Sequence, residues 1–198
     1  MFVTLEGLDG SGKTTQARRL RKRLEAGGTE VVLTREPGGT ELGEEIRGLV
    51  LHGGDVAPWA EAALYAASRA QHVEQVIRPA LTRGVTVICD RYVDSSVAYQ
   101  GIARGLGLER VLDLNLAVVD GLMPDRTILL EIGPDVAAAR MGGARDRIER
   151  EDDSFHARVA GAYRELAARF PARYLVLDGT LPAEELAERI AREITPAI

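Results

Sequence analysis

The sequence predicts an α/β protein with a five-stranded parallel sheet covered by helices on both faces. Two observations carry this prediction. Short apolar runs alternate with longer helical stretches along the 198-residue chain, which is the pattern of a parallel sheet with crossover helices. The run at residues 85–89 is apolar enough for a strand that is buried on both faces. At this length we expect a single domain over residues 1–198.

The elements follow in order from these runs and from the turn residues between them. The strands are predicted at residues 2–6, 31–34, 85–89, 127–131 and 174–177. The helices are predicted at residues 14–26, 41–51, 60–81, 108–122, 135–141, 153–170 and 183–194. Gly27 and Gly28 end the first helix, Pro79 is expected to bend or restart the third, and the fourth stops before Pro124.

Composition excludes several classes of protein. The net charge is −5, which argues against a chain made to wrap nucleic acid. Hydrophobic residues at 45% and charged residues at 28% are ordinary for a folded domain and exclude disorder. Cys89 is the single cysteine, so an internal disulfide is impossible. With neither a long apolar run nor a signal-peptide pattern, we expect a cytoplasmic protein that binds neither membrane nor nucleic acid.

The strongest motif follows the first predicted strand. Residues 7–14, GLDGSGKT, fit G-x-x-x-x-G-K-[ST] and lie between a strand and a helix. Glycines let backbone N–H groups turn towards phosphate oxygens, and the helix N-terminus adds partial positive charge. Lys13 would reach the β- and γ-phosphates. The motif predicts a P-loop NTPase fold, three layers α/β/α, with ATP-binding residues Gly7, Leu8, Asp9, Gly10, Ser11, Gly12, Lys13, Thr14 and Thr15.

Two residues point to a magnesium ion. The Thr14 hydroxyl is expected to ligate Mg²⁺ directly, and Asp90, at the end of a predicted strand, to hold it through water. An N-cap role for Asp90 is the alternative. Asp9 lies inside the phosphate loop, where a carboxylate is costly unless it faces a metal, an arginine or a sugar hydroxyl. We therefore interpret Asp9 as a contact to the acceptor or the metal.

The arginines separate the possible P-loop classes. A GTPase would need Asn-Lys-x-Asp, but the one asparagine, Asn115, is followed by Leu-Ala-Val. A kinase with a phosphorylated acceptor needs fixed cations between two anions, and arginine binds phosphate in a bidentate way. Arg35 and Arg91 follow predicted strands. A glycine-containing segment at about 140–152 is expected to form a small mobile lid with Arg140, Arg145, Arg147 and Arg150.

Six segments together resemble one family, the bacterial thymidylate kinases. They are residues 6–15 (EGLDGSGKTT), 34–40 (TREPGGT), 65–72 (YAASRAQH), 90–96 (DRYVDSS), 98–101 (AYQG) and 146–149 (DRIE). The resemblance covers nearly the whole chain. It implies transfer of the γ-phosphate of ATP to dTMP, giving ADP and dTDP, with Mg²⁺, in a homodimer joined through helices.

The resemblance also implies residue roles. Catalytic roles fall to Lys13, Asp9, Arg91 and Arg147. Contacts to dTMP fall to Asp9, Arg35, Glu36, Arg47, Tyr65, Arg69, Arg91, Ser96, Tyr99 and Gln100. Residues 8–11 contain no basic residue, so the sequence resembles the branch in which the lid supplies the catalytic arginine. Arg147 is the first choice, followed by Arg145 and Arg140, which are also expected to bind ATP.

The residue chemistry of the base site agrees with these roles. Thymine offers carbonyl acceptors and an N3–H donor, and Arg69 and Gln100 supply matching groups. Tyr65 lies four residues before Arg69, on the same helix face, so that its ring can stack on the base. This position is usually Phe in the family, so the added hydroxyl must find water or a polar partner. A core aromatic is the alternative role for Tyr65.

Two rival functions stay open at this point. One is a kinase of the same fold that acts on another nucleotide or on a deoxynucleoside, although a nucleoside would leave Arg35 and Arg91 without an acceptor phosphate. The other is a nucleotide-binding switch that hydrolyses ATP or GTP slowly, without an acceptor. No general base is required for the kinase, and His52, His72 and His156 are interpreted as structural or surface residues.

Overall fold

Five parallel strands form the centre of the structure, a computed structural model that describes residues 1–142 and 146–194. The strands lie in the order β2-β3-β1-β4-β5, and every neighbouring pair is parallel. Their bounds are β1 (Phe2–Glu6), β2 (Val31–Arg35), β3 (Thr86–Asp90), β4 (Arg126–Glu131) and β5 (Tyr174–Asp178). The predicted five-stranded parallel sheet is confirmed, and each predicted end lies within one residue of the observed one.

Helices cover both faces of the sheet, as predicted. On one face, α1 and α9 pack against Val3, Leu5 and Ile88. The other face, which includes Phe2 and Val87, carries the larger apolar cluster. The helices are α1 (Lys13–Ala26), α2 (Glu41–His52), α3 (Pro58–His72), α4 (Arg78–Thr82), α5 (Val93–Ser96), α6 (Leu108–Val118), α7 (Pro134–Arg140), α8 (Asp153–Arg169) and α9 (Ala183–Ile194).

Two predicted helices differ from the observed ones. The stretch at 60–81 is α3 and α4 joined by a π turn at Val73–Ile77, because Pro79 has no N–H to donate back along the helix. The stretch at 108–122 ends earlier, at Val118. There Gly121 takes φ +66° and its N–H donates to the Leu116 carbonyl, which closes the helix before Pro124.

A helical segment at residues 93–103 was not predicted. It consists of α5 and a following π turn, Val97–Ala103, and all but Ile102 of its residues are buried. A segment enclosed on every side has no polar face, so it lacks the periodicity by which a surface helix is recognised. It contributes Ser95, Ser96, Tyr99 and Gln100 to the site described below.

The sheet register aligns the ends of three strands. Asp90 pairs with Leu5 of β1 and with Arg35 of β2, so all three lie at one level of the carboxyl edge. The phosphate loop continues from β1 at that edge and begins with Gly7. A Cβ at this position would lie 2.5 Å from the Leu130 carbonyl oxygen, which is too close for any side chain. This edge is where ligands bind in open parallel sheets.

The predicted lid is only partly described. Residues 140–142 and 146–152 belong to it, whereas Arg145 lies outside the described residues. In the part of the chain that the structure describes, no helix combines the length and the apolar character needed to span a membrane.

Candidate active site

A cavity opens at the carboxyl ends of β1, β2 and β3. It brings the phosphate loop together with cations from distant parts of the chain. Its lining residues are Asp9, Gly10, Gly12, Lys13, Thr14, Thr15, Arg35, Glu36, Arg47, Asp90, Arg91 and Arg140. Gly7, Leu8 and Ser11 complete the loop behind this wall. Five of the lining side chains are cationic, and we call this space the phosphate cavity.

Lys13 is positioned by the loop itself. Its side chain is only 6% exposed, and Nζ donates to the carbonyl oxygens of Gly7 (3.1 Å) and Leu8 (2.8 Å). Burial, reinforced by the charge of Arg91, lowers the pKa of Lys13. Gly12 precedes α1 with φ +97°, and no described side chain caps the helix. The first N–H groups of α1 are therefore available to an anion.

Thr14 and Asp90 lie side by side in the phosphate cavity. The Thr14 hydroxyl donates to Asp90 Oδ2 at 2.6 Å, because the register brings the end of β3 next to the start of α1. A hydroxyl and a carboxylate oxygen form the hard, all-oxygen donor set that Mg²⁺ prefers. The two residues predicted to bind the metal thus offer oxygen ligands that would suit a magnesium ion.

Arg91 joins the phosphate cavity to a second cavity. It has a left-handed backbone, φ 72°, and its guanidinium donates to Asp9 Oδ1 (2.6 Å), Ser95 Oγ (3.1 Å) and Tyr99 Oη (3.3 Å). Burial opposes both charges, but the ion pair outweighs it, so the pKa of Asp9 is held below its usual range and that of Arg91 above. Arg91 is therefore a fixed cation.

The second cavity contains the predicted base-binding residues, and we call it the base cavity. All predicted dTMP contacts except Arg35 line it. Its lining residues are Asp9, Glu36, Pro37, Arg47, Leu51, Tyr65, Arg69, Arg91, Ser95, Ser96, Tyr99, Gln100, Asp146 and Ile148. The half-buried Tyr65 lies one helical turn before Arg69, as its spacing predicts. Burial raises the pKa of the Tyr65 phenol, which keeps it protonated.

Arg69 is held by hydrogen bonds on three sides. Nε donates to Glu36 (2.7 Å) and Nη2 to the Tyr92 carbonyl (3.0 Å). Nη1 donates to Ser96 Oγ (2.9 Å) and to Asn115 Oδ1. A guanidinium has five N–H donors, so one on Nη2 is left for a ligand. The side chain is 1% exposed and lines the base cavity, which makes it a preorganised donor.

Glu36, which accepts the hydrogen bond from Arg69, is itself held by a second residue. Its second oxygen contacts His72 Nδ1 at 2.9 Å, and His72 Nε2 contacts the Thr34 hydroxyl at 2.7 Å. Glu36 and His72 are both buried. His72 is therefore a structural residue of the site, in line with its interpretation from the sequence.

The other predicted arginines occupy different environments. Arg35 is exposed and forms two hydrogen bonds with Glu44, at 2.9 and 3.0 Å. Arg47 Nη1 donates to the Pro37 carbonyl at 3.0 Å and lines both cavities. Arg140, at the end of α7, donates to the Gly179 carbonyl at 2.8 Å and reaches the phosphate cavity.

Arg147, the first choice for the catalytic lid residue, is not brought to the phosphate cavity. Its Nε donates to the Val50 carbonyl (2.9 Å) and its Nη2 to Glu61 (2.6 Å). Two flanking lid residues, Asp146 and Ile148, do line the base cavity. Among the described lid residues, Asp146 and Ile148 thus lie at the base cavity and Arg140 at the phosphate cavity. The catalytic role of Arg147 stays a prediction.

Glu6 is a site residue whose role the sequence did not reveal. It is fully buried and accepts hydrogen bonds from the Tyr92 N–H (2.8 Å), the Ser95 hydroxyl (2.6 Å) and the Tyr163 hydroxyl (3.1 Å). Burial and the neighbouring charge of Asp94 raise the pKa of Glu6 to about 7. The available signal was a carboxyl group at the end of an otherwise apolar strand.

Comparisons with known proteins agree on one family. A family model described as thymidylate kinase matches residues 5–190. The thymidylate kinase of Leifsonia xyli subsp. xyli is 56% identical over 194 residues, which cover 96% of this chain and 92% of that one. The thymidylate kinase of Deinococcus radiodurans is 49% identical over 193 residues, covering 96% and 94%.

A solved structure extends this agreement to the fold. The crystal structure of thymidylate kinase from Ehrlichia chaffeensis superimposes with a TM-score of 0.77 at 36% sequence identity. The superposition covers 89% of this chain and 91% of that chain. The P-loop α/β fold predicted from the sequence is therefore confirmed.

Proposed function

Since the chain belongs to the thymidylate kinase family, we propose that it transfers the γ-phosphoryl group of ATP to the 5′-phosphate of dTMP, giving dTDP and ADP. One observation of the structure supports this most directly. The phosphate cavity and the base cavity share a wall made of Asp9, Glu36, Arg47 and Arg91. Two anionic ligands, one in each cavity, would place their phosphates against the same fixed arginine.

The chain's own part in the reaction is positioning and charge neutralisation. An oxygen of the dTMP phosphate forms the new P–O bond while the bond between the β,γ-bridging oxygen and the γ-phosphorus breaks, leaving ADP. The second pKa of a phosphate monoester is about 6, so the acceptor is already a dianion near pH 7 and needs no base. Lys13 would exchange the loop carbonyls for phosphate oxygens, and Arg91 would stabilise the charge between donor and acceptor.

A magnesium ion is part of this proposal. Thr14 and Asp90 would hold it, the hydroxyl as a ligand and the carboxylate directly or through water. When bound, the ion neutralises charge on the β- and γ-phosphates. The adjacent hydroxyl and carboxylate oxygens in the phosphate cavity support the assignment.

The base cavity supplies the acceptor specificity. The remaining N–H of Arg69 would donate to a thymine carbonyl, Gln100 would meet N3–H, and the Tyr65 ring would stack on the base. Asp9 and Tyr99, which contact each other at 3.4 Å, would face the sugar and its phosphate.

Among the described lid arginines, Arg140 lies where it can act on ATP, because it lines the phosphate cavity. We propose it as the ATP-binding arginine of this arrangement. A catalytic Arg147 would have to leave Glu61 first. The decisive comparison is kcat for Arg140→Ala against Arg147→Ala, since the variant with the larger loss identifies the arginine that neutralises the transferred group.

We further propose that the protein is a cytoplasmic homodimer. Two large apolar side chains of α2, Leu42 and Leu49, and Trp59 at the start of α3 are exposed. Helices α2 and α3 pack against each other, so these side chains belong to neighbouring elements. Light scattering after gel filtration would give the mass of one or two chains, and a single chain at micromolar concentration would contradict the dimer.

One experiment tests the function as a whole. ADP release from ATP and Mg²⁺ is measured with dTMP, dUMP, UMP, CMP, AMP, GMP or thymidine as acceptor, and with no acceptor. Turnover should be fastest with dTMP. Equal turnover without an acceptor would indicate a nucleotide-hydrolysing switch, and preferential use of thymidine would indicate a nucleoside kinase.

A further inference from the structure

We infer that Glu61 is a positioning residue that determines which end of the Gln100 amide faces the acceptor base. Through this orientation, Glu61 selects bases that carry a hydrogen on N3. The inference rests on the proposed function, in which Gln100 meets N3 of thymine. Glu61 does not line the base cavity itself, so its contribution reaches the substrate through Gln100.

Glu61 is placed for this role by the periodicity of α3. It lies four residues before Tyr65 and eight before Arg69, so the three side chains follow one face of the helix. Its side chain is completely buried. Carboxylates are rarely buried to this extent unless they are paired, and a buried carboxylate on this face therefore requires an explanation.

Donors from three side chains converge on this carboxylate. Gln100 Nε2 donates to Oε1 at 2.9 Å. Arg104 contacts both oxygens at 3.3 Å, and Arg147 of the lid donates to Oε2 at 2.6 Å. Guanidinium N–H groups donate to both oxygens, so each oxygen acts as an acceptor and the one that faces Gln100 has no hydrogen to donate.

An acceptor-only partner fixes the orientation of an amide. Gln100 must turn its NH₂ group towards Glu61, which leaves its carbonyl oxygen for the base cavity that the side chain lines. That oxygen accepts a hydrogen bond from N3–H of thymine or uracil. Cytosine has a lone pair at N3, so it would face the carbonyl oxygen with no hydrogen between them and is rejected.

The test exchanges the carboxylate for an amide of the same shape. In Glu61→Gln, Arg147 and Nη2 of Arg104 hold the new carbonyl oxygen at the Oε2 position. The new NH₂ group then takes the Oε1 position and faces Gln100, and Nε of Arg104 loses its acceptor. Gln100 then turns its own carbonyl towards residue 61 and presents its NH₂ group to the base. We expect kcat/KM for dTMP to fall at least about 10-fold, and the ratio of kcat/KM for dTMP over dCMP to fall at least about 10-fold.

Glu151→Gln is the matched control. It removes the 2.6 Å ion pair between Glu151 and Arg104 in the same network but does not touch Gln100. The dTMP to dCMP ratio of this variant should equal that of the wild type. Melting temperatures are recorded for both variants, because a purely structural role of Glu61 would lower stability and leave the ratio unchanged.

The outcomes separate this inference from the proposed function. A wild-type protein that does not use dTMP overturns the function. A wild-type preference for dTMP that survives in folded Glu61→Gln overturns only the role of Glu61. If Glu61→Gln does not fold, calorimetry compares Glu61→Asp, which keeps an acceptor-only group, with Glu61→Ala, which has none. A preference for binding dTMP over dCMP that is larger in the Asp variant than in the Ala variant supports the inference, and equal preferences overturn it.

Discussion

The base cavity and the phosphate cavity are adjacent, but their polar groups are held in different ways. In the base cavity, Arg69 already uses four of its five donors on protein partners, and Gln100 is fixed by Glu61. In the phosphate cavity, Lys13 is bonded to loop carbonyls and Arg35 to the exposed Glu44. The polar groups of the base cavity are therefore fixed in orientation. The cations of the phosphate cavity can exchange their present partners for phosphate oxygens.

The difference reflects two separate tasks. Discrimination between bases depends on one donor or acceptor, so the reading groups must not be able to turn. Phosphate transfer needs positive charge against the transferred group. The loop-carbonyl bonds of Lys13 and the exposed ion pair of Arg35 can be exchanged for bonds to phosphate oxygens. Arg91 lines both cavities and is paired with Asp9 at 2.6 Å, consistent with a place between the two phosphates.

The largest expected effect is that of Lys13→Ala, which should impair the phosphate cavity and leave the base cavity unchanged. Lys13→Ala should lower kcat by about 10³-fold or more, because it removes the buried cation of the phosphate cavity. Binding of dTMP measured without ATP should stay within about threefold, since the base cavity is intact. Lys22→Ala, on the exposed side of α1, is the control. Near-normal turnover of Lys13→Ala would contradict the phosphate-loop assignment.

Arg69→Lys removes most of the hydrogen bonds that fix the side chain in the base cavity, while it keeps the positive charge. Lysine has no fork, so it cannot serve Glu36, Asn115 and the Tyr92 carbonyl together, and each buried acceptor left unpaired costs about 1–3 kcal/mol. We expect kcat/KM for dTMP to fall about 100-fold and KM for ATP to stay nearly constant. Arg78→Lys, on α4 and outside both cavities, should change neither. An equal loss for both substrates would show that the cavities are not independent.

Glu6 makes the free energy of unfolding depend on pH. Its folded pKa, about 7, lies above the ordinary 4.5, so the stabilising contribution is full below about pH 4.5 and is lost as pH rises through 7. A shift of this size corresponds to about 3 kcal/mol. Glu6→Gln should lack this decline, which is checked by urea unfolding at pH 5 and pH 8.

The titratable groups around Glu6, which include Asp94, Arg91 and Tyr163, are unchanged in this variant. The difference between variant and wild type therefore removes the titration of the rest of the chain. Glu30→Gln, at an exposed site, is the control and should keep the wild-type pH dependence. Parallel curves for Glu6→Gln and the wild type would show that the Glu6 carboxyl titrates normally.

The smallest effect is expected for Tyr65→Phe. No hydrogen bond of the Tyr65 hydroxyl is found within residues 1–142 and 146–194, and the ring alone is needed for stacking. Turnover of dTMP should stay within about threefold, whereas Tyr65→Ala should lose 1–3 kcal/mol, roughly 5- to 150-fold in KM for dTMP. A large loss in the Phe variant would mean that the hydroxyl contacts the substrate.

The phosphate cavity was largely predictable because its chemistry lies in one contiguous motif. Residues 7–15 specify the loop, and parallel register alone places Asp90 and Arg35 beside it. The base cavity was predicted mainly from family resemblance. Helical spacing joins Tyr65 to Arg69, but no local signal joins either of them to Gln100. Glu61 and Asn115 were missed because one buried polar residue in a helix looks like any other until its partners are known.

The position of Arg147 shows a further limit. Spacing indicates which residues lie on the lid, but the partner of a flexible side chain depends on the lid's arrangement. Here that partner is Glu61, on a helix 86 residues away in the chain. No pattern within residues 140–152 contains that information.

The buried segment at residues 93–103 has a consequence for how this protein can change over evolutionary time. Ser96 and Gln100 line the base cavity, while Ser95 and Tyr99 touch Arg91, all within two turns of one chain segment. Inserting or deleting a single residue there would rotate everything beyond it by about 100° and misplace both sets of contacts. New acceptor preferences can therefore arise through point substitutions in this segment, whereas insertions and deletions within it would be selected against.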